Sequence, residues 1–407
     1  MTGSNAIDLL DISGYAETQP FAELKWLREN DPISWHPESD GGPGFWAITK
    51  YADVKTVLGT SRVFSSYPST MIKDTKTLGD DKHKFLLYEM LPTHPAHRRS
   101  MGAELMPRSV LSFEPHVRVA VNDIINGVIE RGECDLVRDV AGLLASYVTA
   151  DWLGLPRDEV VELYEASDRF NNSMDTTVGE GLEAANQLFG YMQAVWEDRR
   201  ANPRDDVVTR LAFQQVDGED IDMVQFAYDL LLLINAGGDT TRNVVSGGYV
   251  SLFDHPAERA RLQADPAMFV TGVEELLRWV SPIVYARRTA GEDMTVGGVR
   301  IEAGQKVVAF IGSADRDEEQ FANGEVFDVG RDPNNHIAFG AGLHFCLGVH
   351  LARQELRIMF RELARRMPDI EPAGEITWLP PGLTVAPVIV GPKTMPVRFT
   401  PGPRTES

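Results

Sequence analysis

Cysteine is nearly absent: the chain of 407 residues holds two, Cys134 and Cys346. A disulfide framework of the kind that staples small secreted folds needs more. Positive charge is also short, with 39 lysines and arginines against 60 acids and a net charge of −21. A nucleic-acid partner requires a basic footprint, and this balance argues against one. No long apolar run exists. The longest, "LLLLINAGG" at 230–238, lies between Asp229 and Asp239 and is too short to span a bilayer. The opening stretch "MTGSNAIDLLDISGYAET" carries acids where a secretory signal would carry lysine or arginine. The expected compartment is the cytoplasm. No internal repeat and no Pro/Ser/Gly linker divides the chain, so one domain over 1–407 is expected.

What is present fits a globular protein with a real core: 43% of residues are hydrophobic and 24% charged. "GFWAIT" at 44–49 predicts a strand and "YADVKTVLG" at 51–59 a helix ending at Gly59. Residues 65–94 show no sustained period and read as a long loop with room for a short helix. From about 95 to 280 the pattern is helical, broken at 171–180 by "NNSMDTTVGE". Residues 222–254 read as one very long helix. "MTVGGVRI" and "KVVAFIG" then predict short strands around a turn. After Cys346 another helix follows, with Leu351, Leu356, Met359, Phe360 and Leu363 on one face. The expected fold class is mainly α with a small β-rich part.

Four stretches carry chemistry. In "FGAGLHFCLG", 339–348, Cys346 lies at the N-terminal end of that last helix, where free N–H groups and the helix dipole stabilise a thiolate. Gly340, Gly342 and Gly348 permit a tight loop, and Phe339 and Phe345 an apolar wall. This combination suits a thiolate bound to haem iron. Two other readings stay open on this stretch alone. One is a buried inert thiol; the other is zinc held with His336, His344 and His350, although the spacing is not that of a finger. In "AGGDTT", 236–241, two glycines interrupt the long helix, and Thr240 can bond back to the carbonyl of Ala236. That opens a groove beside an acid and an alcohol, Asp239 and Thr240; a helix crossing packed on glycine is the plainer reading. In "EELLRW", 274–279, Glu275 and Arg278 are i,i+3 neighbours able to pair, internally or as a solvated surface pair. His97, Arg288 and His344 are candidate partners for an anion, or ordinary charged side chains.

Together, in this order and over nearly the whole chain, these stretches resemble the haem-thiolate monooxygenases called cytochrome P-450, of the bacterial soluble type. "FGAGLHFCLG" fits the pattern F-x-x-G-x-H-x-C-x-G through Phe339, Gly342, His344, Cys346 and Gly348. The resemblance implies haem b as cofactor and Cys346 as the iron ligand. It implies Asp239 and Thr240 as the proton-delivery pair, His97, Arg288 and His344 as contacts of the propionates, and Glu275 with Arg278 as a structural brace. It further implies O2 as co-substrate and electrons from a ferredoxin and a ferredoxin reductase.

The substrate expected is a small lipophilic molecule, since Leu233, Ile234, Ala236, Val284, Tyr285, Val388 and Ile389 are the expected liners. "TTRN", 240–243, resembles the same segment in hydroxylases of sterol side chains and of fatty-acid or alkane ends. Terpenoid and polyketide-type substrates stay open. So do a peroxide-driven relative and, from another class, a haem-binding sensor without turnover. The chain departs from the family pattern in three places. Met101 stands where arginine usually follows the histidine matched to His97, Gly324 stands where proline is common, and Val326 stands where arginine often joins Glu275 and Arg278. Arg331 is a candidate replacement. The helix after Cys346 carries Arg353, Arg357, Arg361 and Arg365 at i+4 spacing, with Arg366 beside them, a ridge suited to an acidic ferredoxin.

Overall fold

The computed structural model describes residues 7–38, 41–73, 83–172, 179–378 and 386–405. Near the N-terminus lie α1 (Phe21–Asn30) and α2 (Tyr51–Gly59), and around them five strands form the main sheet. These are β1 (Ile33–His36), β2 (Phe45–Ile48), β3 (Phe64–Ser65), β4 (Tyr285–Ala290) and β5 (Lys306–Phe310), in the order β1-β2-β5-β4-β3. β5 runs parallel to β2, with Val307 opposite Trp46, and antiparallel to β4, with Val307 opposite Arg288. The sheet therefore ties residues 33–65 to residues 285–310. A separate hairpin pairs Met294–Val296 with Val299–Ile301. It turns on Gly297 and Gly298, whose φ of +50° and +86° favour glycine.

The helical body comprises α3 (His94–Gly102), α4 (Pro107–Val128), α5 (Gly142–Leu153), α6 (Arg157–Asn172), α7 (Gly179–Ala201) and α8 (Val207–Ala212). α9 (Met223–Asp254) follows, then α10 (Pro256–Ala264), α11 (Phe269–Val280), α12 (Ile311–Ala314) and α13 (Val349–Arg366). The long helical stretch is interrupted by a strand, Glu133–Asp135, and by a small hairpin, Gln215–Val216 with Glu219–Asp220. The break expected at 171–180 falls largely on 173–178, outside the described residues, between α6 and α7. Of the loop expected at 65–94, residues 74–82 are likewise outside; 83–93 contains turns and no helix.

α9 is one helix of 32 residues. Asp222 caps it, accepting from the Gln225 N–H. It lies between two apolar clusters, one holding Val244, Val245 and Phe360, the other Leu188, Leu230 and Ile234. Helices pack closest where side chains vanish. A Cβ on Gly248 would stand 2.8 Å from the Phe360 ring, and one on Gly247 3.0 Å from Val280. These glycines let α11 and α13 approach α9, which positions the two chemical stretches on α9 and α13 relative to each other.

Candidate active site

The loop before α13 is wound by its own backbone. The Cys346 N–H donates to the Phe339 carbonyl at 2.9 Å and the Gly340 N–H to Ile337 at 2.7 Å. Gly340 and Gly342 have φ of +74° and +71°, and a Cβ on Gly342 would stand 2.6 Å from the Leu58 carbonyl oxygen. Only glycine fits there. The loop presents the Cys346 thiol at the head of α13, where the Gly348 N–H donates to it. Burial pushes the thiol up; the Gly348 N–H, Arg98 and Arg353 pull the other way without prevailing. A bound metal cation would complete the ionisation. Both cysteines are free, so no bridge joins Cys134 to Cys346.

Beside the loop stands a group of buried bases. The His94 ring is fully buried, and neither of its nitrogens has a hydrogen-bond partner among the described residues. It meets the His344 ring edge-on, with centroids 4.6 Å apart. His344 Nε2 lies 3.0 Å from the Ser66 hydroxyl. Burial, then Arg288, His94 and Arg98, push His344 down to about 3; burial and Arg98 push His94 down to about 4. Arg288, 5% exposed, is pushed down to about 10 by burial. Its guanidinium donates to the Arg287 carbonyl at 2.9 Å and meets no carboxylate among the described residues. Such crowding of unpaired cations and orphaned ring nitrogens is costly unless an anion enters. The two carboxylates of a haem would satisfy it.

His97 does not belong to this group. Nδ1 bonds Glu89 at 2.7 Å and Nε2 bonds Asp229 at 2.9 Å. Burial alone would lower its pKa, but the two carboxylates outweigh burial and hold it at about 10. Both ring nitrogens are thus committed, which leaves neither free for the propionate contact expected at His97. His94 stands one turn earlier, with Arg98 four residues after it, the histidine-to-arginine spacing of the family pattern. Met101, 2% exposed, is a core residue.

On α9, the Thr240 hydroxyl donates to the Ala236 carbonyl at 2.9 Å. The helix is not broken there. The expected groove at Gly238 is filled: a Cβ on Gly238 would overlap the ring of Tyr164 from α6. Ala236 is nevertheless exposed between the buried Ile234 and Gly238, so one side of the helix faces open space. Asp239 Oδ1 lies 2.6 Å from Arg242 Nη2. Thr241 donates to Glu355 of α13 at 2.8 Å; burial pushes this carboxyl up to about 8, so it carries a proton at neutral pH. Of the expected liners, Val284, Tyr285 and Ile234 are core residues at 2% exposure or less. Leu233, Ala236, Val388 and Ile389 keep exposed surface, and Ile283, missed in the sequence, joins them by pairing with Ile389.

Glu275 and Arg278 are fully buried, and Arg278 Nε and Nη2 donate to the two carboxylate oxygens at 2.7 Å each. Arg331 Nε donates to the same carboxylate at 3.2 Å and fills the place the sequence left open at Val326. Gly324 is required where proline is common, because a Cβ there would overlap the Arg316 carbonyl. The zinc alternative does not assemble: His336 bonds Glu274 at 3.1 Å. Among the described residues, no three His, Cys, Asp or Glu side chains converge to hold a metal ion. Among them, too, no helix is long and apolar enough to cross a membrane.

This constellation is that of a haem-thiolate enzyme, and the chain belongs to the cytochrome P450 family. The family model matches residues 270–367, which span Glu275, Arg278 and Cys346. The methyl-branched lipid omega-hydroxylase of Mycobacterium tuberculosis (strain ATCC 25618 / H37Rv) is 34% identical, over 92% of this chain and 90% of its own length. The steroid C26-monooxygenase of Rhodococcus jostii (strain RHA1) is 33% identical, over 90% of this chain and 80% of its own. Among solved structures, Mycobacterium marinum cytochrome P450 CYP268A2 in complex with pseudoionone superposes with a TM-score of 0.87. It is 32% identical and covers 98% of this chain and 100% of its own. The protein is accordingly a cytochrome P450 monooxygenase with haem b as cofactor, and the sensor alternative falls. The orphaned His94 and the unpaired Arg288 fit that group.

Proposed function

We propose that the chain is a single haem domain that hydroxylates a lipophilic molecule, with Cys346 as the axial ligand and His94, Arg98, Arg288 and His344 as partners of the propionates. The observation that carries this is the Cys346 loop set beside buried bases that lack an anion. When bound, the haem supplies the activation of O2 for insertion into a C–H bond. The exposed Ala236 and the partly exposed Leu233, Ile283, Val388 and Ile389 support a lipophilic substrate. So do the methyl-branched lipid and steroid named for the relatives. Titrating the purified protein with lipids, steroids and terpenoids tests this: a spin-state shift is expected from the first two classes, and none from any class refutes it.

Asp239 and Thr240 serve as the proton-delivery pair. Thr240 Oγ1 uses its hydrogen on Ala236 and offers its lone pairs, so it receives a proton's hydrogen bond and passes its own on. Asp239 is partly exposed and lies against Arg242, within reach of both solvent and the Thr240 turn. In Thr240→Ala, substrate binding is expected to persist while much of the NADH consumed yields hydrogen peroxide. In Asp239→Asn, turnover is expected to fall on the order of 10²-fold. Unchanged coupling of NADH to product in both variants would refute these roles.

Electrons come from a separate ferredoxin with its reductase, docked on the arginine ridge of α13. Arg353 and Arg357 are held by Glu274 at 2.7 and 2.9 Å, Arg365 by Glu362, and Arg366 by Asn122 and Asn126. Arg361 is exposed and has no ion pair among the described residues. Its charge is the one most available to an acidic partner. Arg361→Glu is expected to slow ferredoxin-supported turnover several-fold at low salt, with little effect at high salt or on peroxide-supported turnover. A wild-type salt dependence places the docking site elsewhere.

A further inference from the structure

α6 crosses α9 and holds it with three side chains. Tyr164 Oη donates to the Ile234 carbonyl at 2.5 Å, and Ser167 Oγ donates to Asn235 Oδ1 at 2.5 Å. Asp168 Oδ2 lies 3.6 Å from Nη1 of Arg242, the arginine that grips Asp239. Residues 164, 167 and 168 share one helical face, and these three contacts on α9 fall within two turns of Asp239 and Thr240. Tyr164 reaches furthest. Its ring occupies the space of a Cβ on Gly238. Its hydroxyl is 3.5 Å from Thr149 Oγ1, which in turn lies 2.9 Å from a Cβ on Gly237. The two glycines leave room for Tyr164 and Thr149: a side chain at 238 would overlap the Tyr164 ring, and one at 237 would require Thr149 to shift.

The hydroxyl has a backbone consequence. In a regular helix the Ile234 carbonyl is the acceptor of the Gly238 N–H, and the Ala236 carbonyl that of the Thr240 N–H. Here the first is shared with the Tyr164 hydroxyl and the second with the Thr240 hydroxyl. Side-chain donors on helix carbonyls lengthen the shared bonds and bend the helix locally. Both shared carbonyls lie in the turn that carries the acid and the alcohol.

We propose that Tyr164 is a positioning residue for the reaction: its hydroxyl on Ile234 and its ring on Gly238 set the backbone of 236–240 and so fix where Asp239 and the Thr240 hydroxyl stand. The inference rests on the reading of Asp239 and Thr240 as the proton-delivery pair. Glycine at 238 and tyrosine at 164 then form one unit, neither replaceable alone. Nothing in the sequence near either residue announces the pairing, because they are 74 positions apart.

The test uses the purified holoenzyme and Tyr164→Phe, which keeps the ring and removes only the hydroxyl. Haem content, the CO-bound spectrum and the substrate's spin-shift affinity are expected to stay within about twofold of wild type. Product per NADH is expected to fall several-fold, with a matching rise in peroxide. Amide hydrogen exchange at Gly238 is expected to slow, because its carbonyl acceptor is no longer shared. A general acceleration of exchange along α6 and α9 with coupling unchanged would show a merely structural role and overturn the proposal. Gly238→Ala alone is expected to lower stability and coupling. Combined with Tyr164→Ala, which makes room, it is expected to regain stability without regaining coupling; full recovery of coupling would also overturn the proposal. Thr240→Ala and Asp239→Asn measured alongside separate the two readings. If they alter coupling and Tyr164→Phe does not, only the role of Tyr164 fails. If neither alters it, the proton-delivery pair itself fails.

Discussion

Replacing Cys346 by histidine is expected to abolish the strongly red-shifted Soret band of the CO-bound reduced protein, and monooxygenation with it. The loop presents the thiol at the head of α13, and its surroundings are arranged for an anion that is stable only with a cation beside it. Burial opposes ionisation, while the Gly348 N–H, Arg98 and Arg353 favour it. A metal ion at the sulfur tips that balance and releases the proton. Histidine would ligate as a neutral nitrogen and donate less electron density, which removes the push that favours O–O cleavage. Haem retention is expected to drop less than activity, because His94, Arg98, Arg288 and His344 are untouched. The measurement is the CO-difference spectrum, with haem content and product formation on the same preparation. A Cys346→His protein that keeps the red-shifted band would exclude this thiol as the ligand, and so would wild-type protein that stays colourless when haem is supplied.

Local constraints were the legible ones. The Cys346 loop reads correctly because its shape is set by glycines a few residues away, two of them at positive φ. The hairpin at Gly297 and Gly298 reads for the same reason. What depended on distant partners did not read. His94 and His97 lie on one helix a turn apart, and only the fold shows that the carboxylate of Asp229, 132 residues on, claims His97. The nearby signal was there in Arg98, four residues after His94 and not after His97. β4 was missed because "YARRTA" has no alternation: it is buried on both faces between β5 and β3. Val284 and Tyr285, expected as liners, do not line the site. In the fold they turn into the core with Phe310, and Ile283 keeps the exposed face. The glycines of "AGGDTT" carried both of their readings at once. They are a packing contact for Tyr164 and Thr149, and they sit beside the acid and alcohol.

The second large effect is expected at Glu275, far from any reacting atom. Its carboxylate is fully buried and accepts from Nε and Nη2 of Arg278. It also accepts from the Asp328 N–H at 2.9 Å, Arg331 Nε at 3.2 Å and Asn334 Nδ2 at 3.1 Å. Arg278 continues the network through the carbonyls of Asp315 at 2.6 Å and Gly324 at 2.9 Å. One ion pair thus holds α11 to the irregular segment 315–334 that leads into the Cys346 loop. Glu275→Ala would leave Arg278 as a buried charge without its partner, a loss of about 3–5 kcal/mol. Against a typical total of about 5–15 kcal/mol, that is enough to leave much of the protein unfolded or unable to keep its haem. Glu275→Gln, which keeps the shape and one acceptor oxygen, is expected to lose less. Arg331→Ala should lose least of the three, because Arg331 sits at the more exposed edge of the network with its side chain 10% exposed. Urea unfolding of each holoprotein, followed by haem absorbance and by circular dichroism, ranks them. If Glu275→Ala unfolds within about 1 kcal/mol of wild type, the buried pair is not what holds this segment. The support of the Cys346 loop would then have to come from its own backbone bonds to Phe339 and Ile337 alone.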